Sequence, residues 1–177
     1  LGMDSCERHP ILVMEWIDGV PIDRWTDQSW NRGLEVRAVL AVFLEVCEAV
    51  HHAHQRGVIH RDLKPSNILV DASGRPRLLD FGLAKITAAD GSLAATVTGT
   101  HDFLGTPAYA APEQVRGDHP AVDVRTDVYA LGVILFRMLT GRLPFDSARG
   151  LADLLSDIQH AEAVRVRVRG AHEVIFP

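Results

Sequence analysis

The stretch VIHRDLKPSNILV, residues 58–70, brings an aspartate, a lysine and an asparagine into one short run: Asp62, Lys64 and Asn67. A second aspartate, Asp80, opens the tripeptide DFG at 80–82. Carboxylates, an ammonium and an amide suit the movement of a phosphoryl group, which asks for positioning and charge neutralisation more than for covalent work. Taken singly, each feature has an ordinary explanation. His60-Arg61-Asp62 could be a turn with a local ion pair, DFG a strand end with a turn glycine, and Asn67 alone says little. Together with GTPAYAAPE (105–113) and DVYALG (127–132), they follow in order at mutually compatible spacings. Chance does not assemble such a series.

From about Ile11 to about Asp157 the series resembles the large C-terminal lobe of the eukaryotic-like (Hanks-type) protein kinase family. LKPSN and GTPAY resemble its Ser/Thr branch, and the wording is similar to bacterial members.

The resemblance implies a role for each residue. Asp62 would accept or orient the proton of an attacking Ser/Thr hydroxyl, a task for a weak base within hydrogen-bond reach. Lys64 would set a positive charge beside the transferred γ-phosphate. Asn67 and Asp80 would offer hard oxygens to Mg²⁺ bridging the phosphates of ATP. In VMEWI, Met14 aligns with the gatekeeper, the backbone of Glu15 and Ile17 would bond the adenine edge, and Leu69 would lie beneath it. His60 and Phe81 fall on packing positions, with His60 anchored by Asp127.

An activation segment would run from 80 to 113, and Thr96, Thr98 and Thr100 are its candidate phosphorylation sites. A phosphate there adds about −1.5 to −2 charges and could order the segment by pairing with Arg61. Thr106 matches the threonine that bonds the catalytic aspartate and lysine in the family, and Asp102 could partly imitate a regulatory phosphate. Protein substrates with Ser/Thr acceptors, and self-phosphorylation in trans, are the partners implied.

These residues need elements to hold them. ILVMEWI (11–17) reads as a buried strand running into the DGVP turn, and DRWTDQSW as a short helix. From Leu34 to His54, Leu40, Phe43, Leu44, Cys47, Val50 or His51, and His54 recur at helical steps, with Gly57 as the stop. ILVD (68–71) and PRLLD (76–80) form a hairpin turned at Gly74. Asp127 to Thr140 is apolar nearly all round, so it reads as a central buried helix ended by Gly141. A further helix is expected over 150–163, and VRVRVRG suits a strand or extended edge. The fold class expected is α+β, mainly helical.

Composition narrows the partners. With 18 Lys+Arg against 23 Asp+Glu the net charge is −5, which argues against nucleic acid or an anionic membrane surface. No apolar run reaches the roughly 18–20 residues of a membrane helix. Cys6 and Cys47 make no disulfide framework, and Cys47 is expected as a reduced core thiol. His51, His52 and His54 cluster on the long helix, and His51 with His54 could in principle hold a metal, although packing at His54 suits the family better. Trp16, Trp25 and Trp30 suit the cleft rim or plain packing.

The chain opens at Leu1, with no Gly-rich loop before Ile11 and no VAIK-type lysine. The expectation is a partial kinase domain over 1–177, hinge and large lobe without the small lobe, and weak or inactive alone. The arginine that pairs with the APE glutamate in relatives is not evident, so marginal stability is expected too. The kinase domain would be cytoplasmic, within a parent that could be membrane-anchored. Two other classes compete: a non-catalytic, pseudokinase-like interaction module, and a small-molecule phosphotransferase. Intact Asp62, Lys64, Asn67 and Asp80 weigh against the first, and GTPAYAAPE, a platform for peptides in the family, against the second.

Overall fold

In a computed structural model of the chain, the residues described are 2–6, 9–80, 107–145, 148, 150–160 and 168–169. Strands β1 (Gly2–Cys6) and β2 (His9–Val13) pair antiparallel as a hairpin. The expected strand over 11–17 therefore ends at Val13. Beyond it Met14 and Trp16 are exposed, 51% and 89%, because no second layer covers them among the described residues.

β3 (Gly19–Pro21) leads directly into α1 (Ile22–Asn31), with Pro21 fixing the entry. The polar side chains buried on α1 satisfy themselves along the helix: Thr26 Oγ1 donates to the Ile22 carbonyl at 2.6 Å and Ser29 Oγ to the Trp25 carbonyl at 2.8 Å. Such local bonds offset the cost of taking polar groups out of water.

α2 (Val36–His54) is the expected long helix, but its buried stripe is Val39, Val42, Phe43, Val46 and Val50. Leu44 is 60% exposed, whereas Phe43 and Val50 face inward as expected. Cys47 is half-buried against this core and free, and burial pushes its thiol up from the ordinary value. Gly57, at φ 73°, lets the chain turn back after the helix, and the Val58 amide returns to the Ala53 carbonyl at 3.0 Å.

β4 (Ile68–Asp71) and β5 (Pro76–Leu78) form the expected hairpin, with Gly74 at φ 83° in its turn. Asp71 organises that turn: its carboxylate accepts the Ser73 hydroxyl at 2.5 Å and the amides of Ser73 and Arg75 at 2.9 and 3.1 Å. Those donors, the Ser73 hydroxyl foremost, hold its pKa down to about 2. β3 adds to the other edge of β4, pairing Val20 with Val70, so the sheet has three strands in the order β3-β4-β5.

A short helix α3 (Pro112–Arg116) precedes α4 (Val124–Thr140), the central helix. Asp123 caps α4 by accepting the Arg125 amide at 2.8 Å. Gly141 ends it at φ 78°, a left-handed conformation that favours glycine, and the Arg169 guanidinium lies against the space a Cβ would take. The last helix described, α5 (Leu151–His160), covers most of the expected 150–163, and residues 161–163 lie outside the described residues. Of the tail expected as a strand, only Val168 and Arg169 are described, and they are an irregular residue and a turn. The Arg169 side chain reaches α1 and α4, donating to Asp27 at 2.8 Å and to the Thr140 carbonyl at 3.2 Å.

The main core gathers Ile22, Val39, Val46, Ile68, Ile134 and Met138 from α1, α2, β4 and α4, with Trp25 and Trp30 packed on it. Trp30 Nε1 donates to the Met138 carbonyl at 2.9 Å, so two of the three tryptophans pack against the body. A second cluster of Ala108, Leu154 and Ile158 holds α5 against the 107–109 turn.

Candidate functional site

The loop between α2 and β4 carries Asp62, and its polar backbone is held from several sides. Asp127, 1% exposed near the start of α4, accepts the His60 amide on Oδ2 and the Arg61 amide on Oδ1, both at 2.8 Å. Its Oδ2 also lies 2.7 Å from His54 Nε2. The expected anchoring of His60 by Asp127 thus runs through the backbone. The His60 imidazole does something else: its Nε2 lies 2.7 Å from the Leu79 carbonyl. The Leu79 amide donates to the Asn67 carbonyl at 2.8 Å, so the residue before Asp80 is tied to both ends of the loop.

Arg61 and Asp80 are the described non-glycine residues at positive φ, 65° and 51°. Left-handed backbone at such residues costs about 1–3 kcal/mol and persists where the surroundings over-determine it. At Arg61 the surroundings are visible. Its amide is taken by Asp127, and its carbonyl accepts Gln114 Nε2 at 2.8 Å.

Asp62, Lys64 and Asn67 meet. Lys64 Nζ lies 3.0 Å from Asp62 Oδ2, and Asn67 Nδ2 donates to the Asp62 carbonyl at 2.9 Å with a longer approach of 3.4 Å to Oδ2. Asn67 is buried and held by its nitrogen, which leaves Oδ1 as the acceptor end; Ser66 Oγ approaches it at 3.5 Å. The Asp62 and Lys64 side chains are 35% and 24% exposed, so their ion pair contributes at most about 1 kcal/mol to stability. Its importance is placement. Asp80 is exposed just past the end of β5, fixed through Leu79.

Glu15 and Ile17 line a shallow recess of about 190 Å³ with Trp16, Asp18, Asp71 and Arg77. Leu69 is not among the residues lining it; it sits half-buried in β4, opposite Pro21 and Arg77 in the ladders. Glu15 and Ile17 thus share the recess with Asp71 and Arg77, whereas Leu69 adjoins it only through its ladder partner Arg77.

The histidines of α2 face separate partners: His51 Nε2 meets Gln55 at 3.0 Å, His52 Nδ1 meets Arg56 at 2.9 Å, and His54 meets Asp127. Glu113 of the APE triplet accepts the Thr126 hydroxyl at 2.5 Å, a partner that sequence reasoning did not foresee. Gln114 was also missed, since nothing about a glutamine after that triplet signals a reach back to Arg61. Phe81, Thr96, Thr98, Thr100, Asp102 and Thr106 lie outside the described residues.

The protein kinase domain family matches residues 3–173. The chain is 46% identical over 154 residues to serine/threonine-protein kinase Pkn1 of Myxococcus xanthus, covering 85% of this chain and 21% of that protein. It is 41% identical over 137 residues to serine/threonine-protein kinase PknB of Mycobacterium tuberculosis, covering 77% of this chain and again 21% of the relative. Serine/threonine-protein kinase PknL of Mycobacterium tuberculosis is 43% identical over 162 residues, or 89% of this chain and 38% of PknL. The chain thus spans between a fifth and two fifths of the length of these relatives.

Proposed function

The chain belongs to the protein kinase family, and we propose that it supplies the hinge and large lobe of a kinase for serine and threonine hydroxyls of protein substrates. In this reading residues 58–70 are the catalytic loop and 80–113 the activation segment. The observation that carries it is the meeting of Asp62, Lys64 and Asn67 on a backbone clamped by Asp127.

The family generally uses ATP and Mg²⁺. Asn67 Oδ1 and the exposed Asp80 carboxylate fit the metal as hard oxygen donors, since the Asn67 nitrogen is already engaged with Asp62. A bound Mg²⁺ would neutralise charge on the phosphate oxygens. Asp62 takes the proton of the substrate hydroxyl as its oxygen bonds to the γ-phosphorus. The bond from that phosphorus to the β–γ bridging oxygen breaks, and ADP leaves. Lys64 holds positive charge beside the oxygens over which negative charge spreads. The backbone of Glu15 and Ile17, with Leu69, would take the adenine.

Phosphorylation in trans at Thr96, Thr98 or Thr100, read out by Arg61, would be the regulatory step, with Thr106 serving the catalytic pair. Among the described residues no helix is long and apolar enough to cross a membrane; the domain would act in the cytoplasm, beside an anchor or without one. The test is transfer of label from radiolabelled ATP to a basic protein substrate in Mg²⁺, using the full-length protein that carries this chain. Asp62→Asn should lower kcat by about 10²-fold or more. Transfer undiminished by that change would place the chemistry elsewhere.

A further inference from the structure

We propose that Gln114 is a positioning residue for Asp62, acting through the Arg61 carbonyl and coupling the substrate platform to the catalytic loop; this rests on the phosphoryl-transfer reading of the site. Gln114 lies at the third position of α3 and uses both ends of its amide. Its Oε1 accepts the Ala111 amide at 3.1 Å, and its Nε2 donates to the Arg61 carbonyl at 2.8 Å. The first bond is half of a capping box, which Ala111, lacking a side-chain acceptor, cannot reciprocate. It fixes the side chain at the start of α3. The second bond crosses 53 residues of sequence to the residue just before Asp62.

Arg61 is where such a hold matters. Its left-handed backbone, at φ 65°, is a conformation a long side chain does not choose unaided. Asp127 takes its amide from α4, and Gln114 takes its carbonyl from α3. The peptide leading into Asp62 is therefore held from two helices. Asp127 is buried in the body, whereas Gln114 belongs to the helix that closes the GTPAYAAPE run. A shift of that run on binding a peptide, or on phosphorylation, is transmitted through one side chain to the carboxylate that receives the substrate's proton. Asp62 orientation then depends on the state of the platform.

Two variants separate this role from simple capping. Gln114→Glu keeps an oxygen for the Ala111 amide but sets a carboxylate against the Arg61 carbonyl, whereas Gln114→Ala removes both bonds. In the full-length protein each should lower kcat roughly five- to ten-fold, with KM for ATP within about two-fold. Each should also accelerate amide hydrogen exchange across residues 60–67, and Gln114→Glu should retain the wild-type melting temperature. Wild-type kcat and exchange in Gln114→Glu would overturn the proposal, and so would a loss confined to KM for the peptide. If the unmodified protein transfers no phosphate, the catalytic reading fails, while the exchange measurement still decides whether Gln114 holds the loop.

Discussion

Asp127 reaches across 67 residues of sequence to hold the His60 amide at 2.8 Å, and its second oxygen takes the amide of Arg61. A buried carboxylate is expensive unless its lone pairs are filled, and here the fillings are two main-chain N–H groups and the His54 ring. The arrangement fixes the direction in which the chain enters Asp62.

The first prediction concerns that carboxylate. Asp127→Ala leaves two buried amides without acceptors and should cost about 3–5 kcal/mol in unfolding free energy. Asp127→Asn keeps one acceptor and turns an NH₂ toward an N–H, so a cost of about 2–3 kcal/mol is expected. Urea denaturation with unchanged m-values measures both. A loss below about 1 kcal/mol for the alanine variant would mean that water replaces the carboxylate.

A second prediction tests the phase of α2. Val46 is 2% exposed in the core, and Val46→Ala should destabilise by about 1–3 kcal/mol. Leu44, 60% exposed, should tolerate alanine within about 0.5 kcal/mol. Equal costs would put Leu44 on the buried face after all.

How far the fold could be read ahead depended on the kind of signal. Turn chemistry carried well: Gly57, Gly74 and Gly141 each stand where a left-handed residue ends a helix or closes a hairpin. The phase of α2 did not carry. So many of its residues are apolar that two stripes fit a helical period, and only tertiary contacts with α4 and β5 choose between them. The order of motifs located Asp62, Lys64 and Asn67, whose meeting needs only a short loop. Long-range partners stayed hidden: Gln114 with Arg61, Thr126 with Glu113, and the His60 ring with the Leu79 carbonyl join segments that no local pattern connects. The partners of Arg169 were equally illegible, since alternation of Val and Arg carries no sign of Asp27 or of the Thr140 carbonyl.

A third prediction separates chemistry from stability. Lys64→Met removes the charge next to Asp62 yet leaves the stem to pack. It should lower kcat by about 10²-fold, the loss typical of an electrostatic stabiliser. Stability should change by less than about 1 kcal/mol, because both partners of the pair are partly solvated. Parallel loss of kcat and melting temperature would instead make Lys64 a structural residue.

The last prediction is a pH dependence at Asp27. Arg137 from α4 grips its carboxylate with two bonds, at 3.2 and 2.8 Å, and Arg169 adds a third at 2.8 Å. The Arg137 guanidinium is the chief reason that its pKa lies below the ordinary value, with burial opposing it and Arg169 assisting. A carboxylate depressed in the folded state contributes stability that is complete above its unfolded value, about 3.9, and fades as pH falls through the folded value. Because 37% of the Asp27 side chain is exposed, solvent screening holds the contribution to about 1 kcal/mol. Asp27→Asn should therefore be less stable than the parent by about that amount near pH 7, and the gap should shrink as pH falls from about 3.9 through the lowered folded value, where the parent carboxylate also protonates. Urea midpoints of the two proteins across that range measure it. A gap that stays constant with pH would assign the loss to packing among α1, α4 and Arg169 rather than to charge.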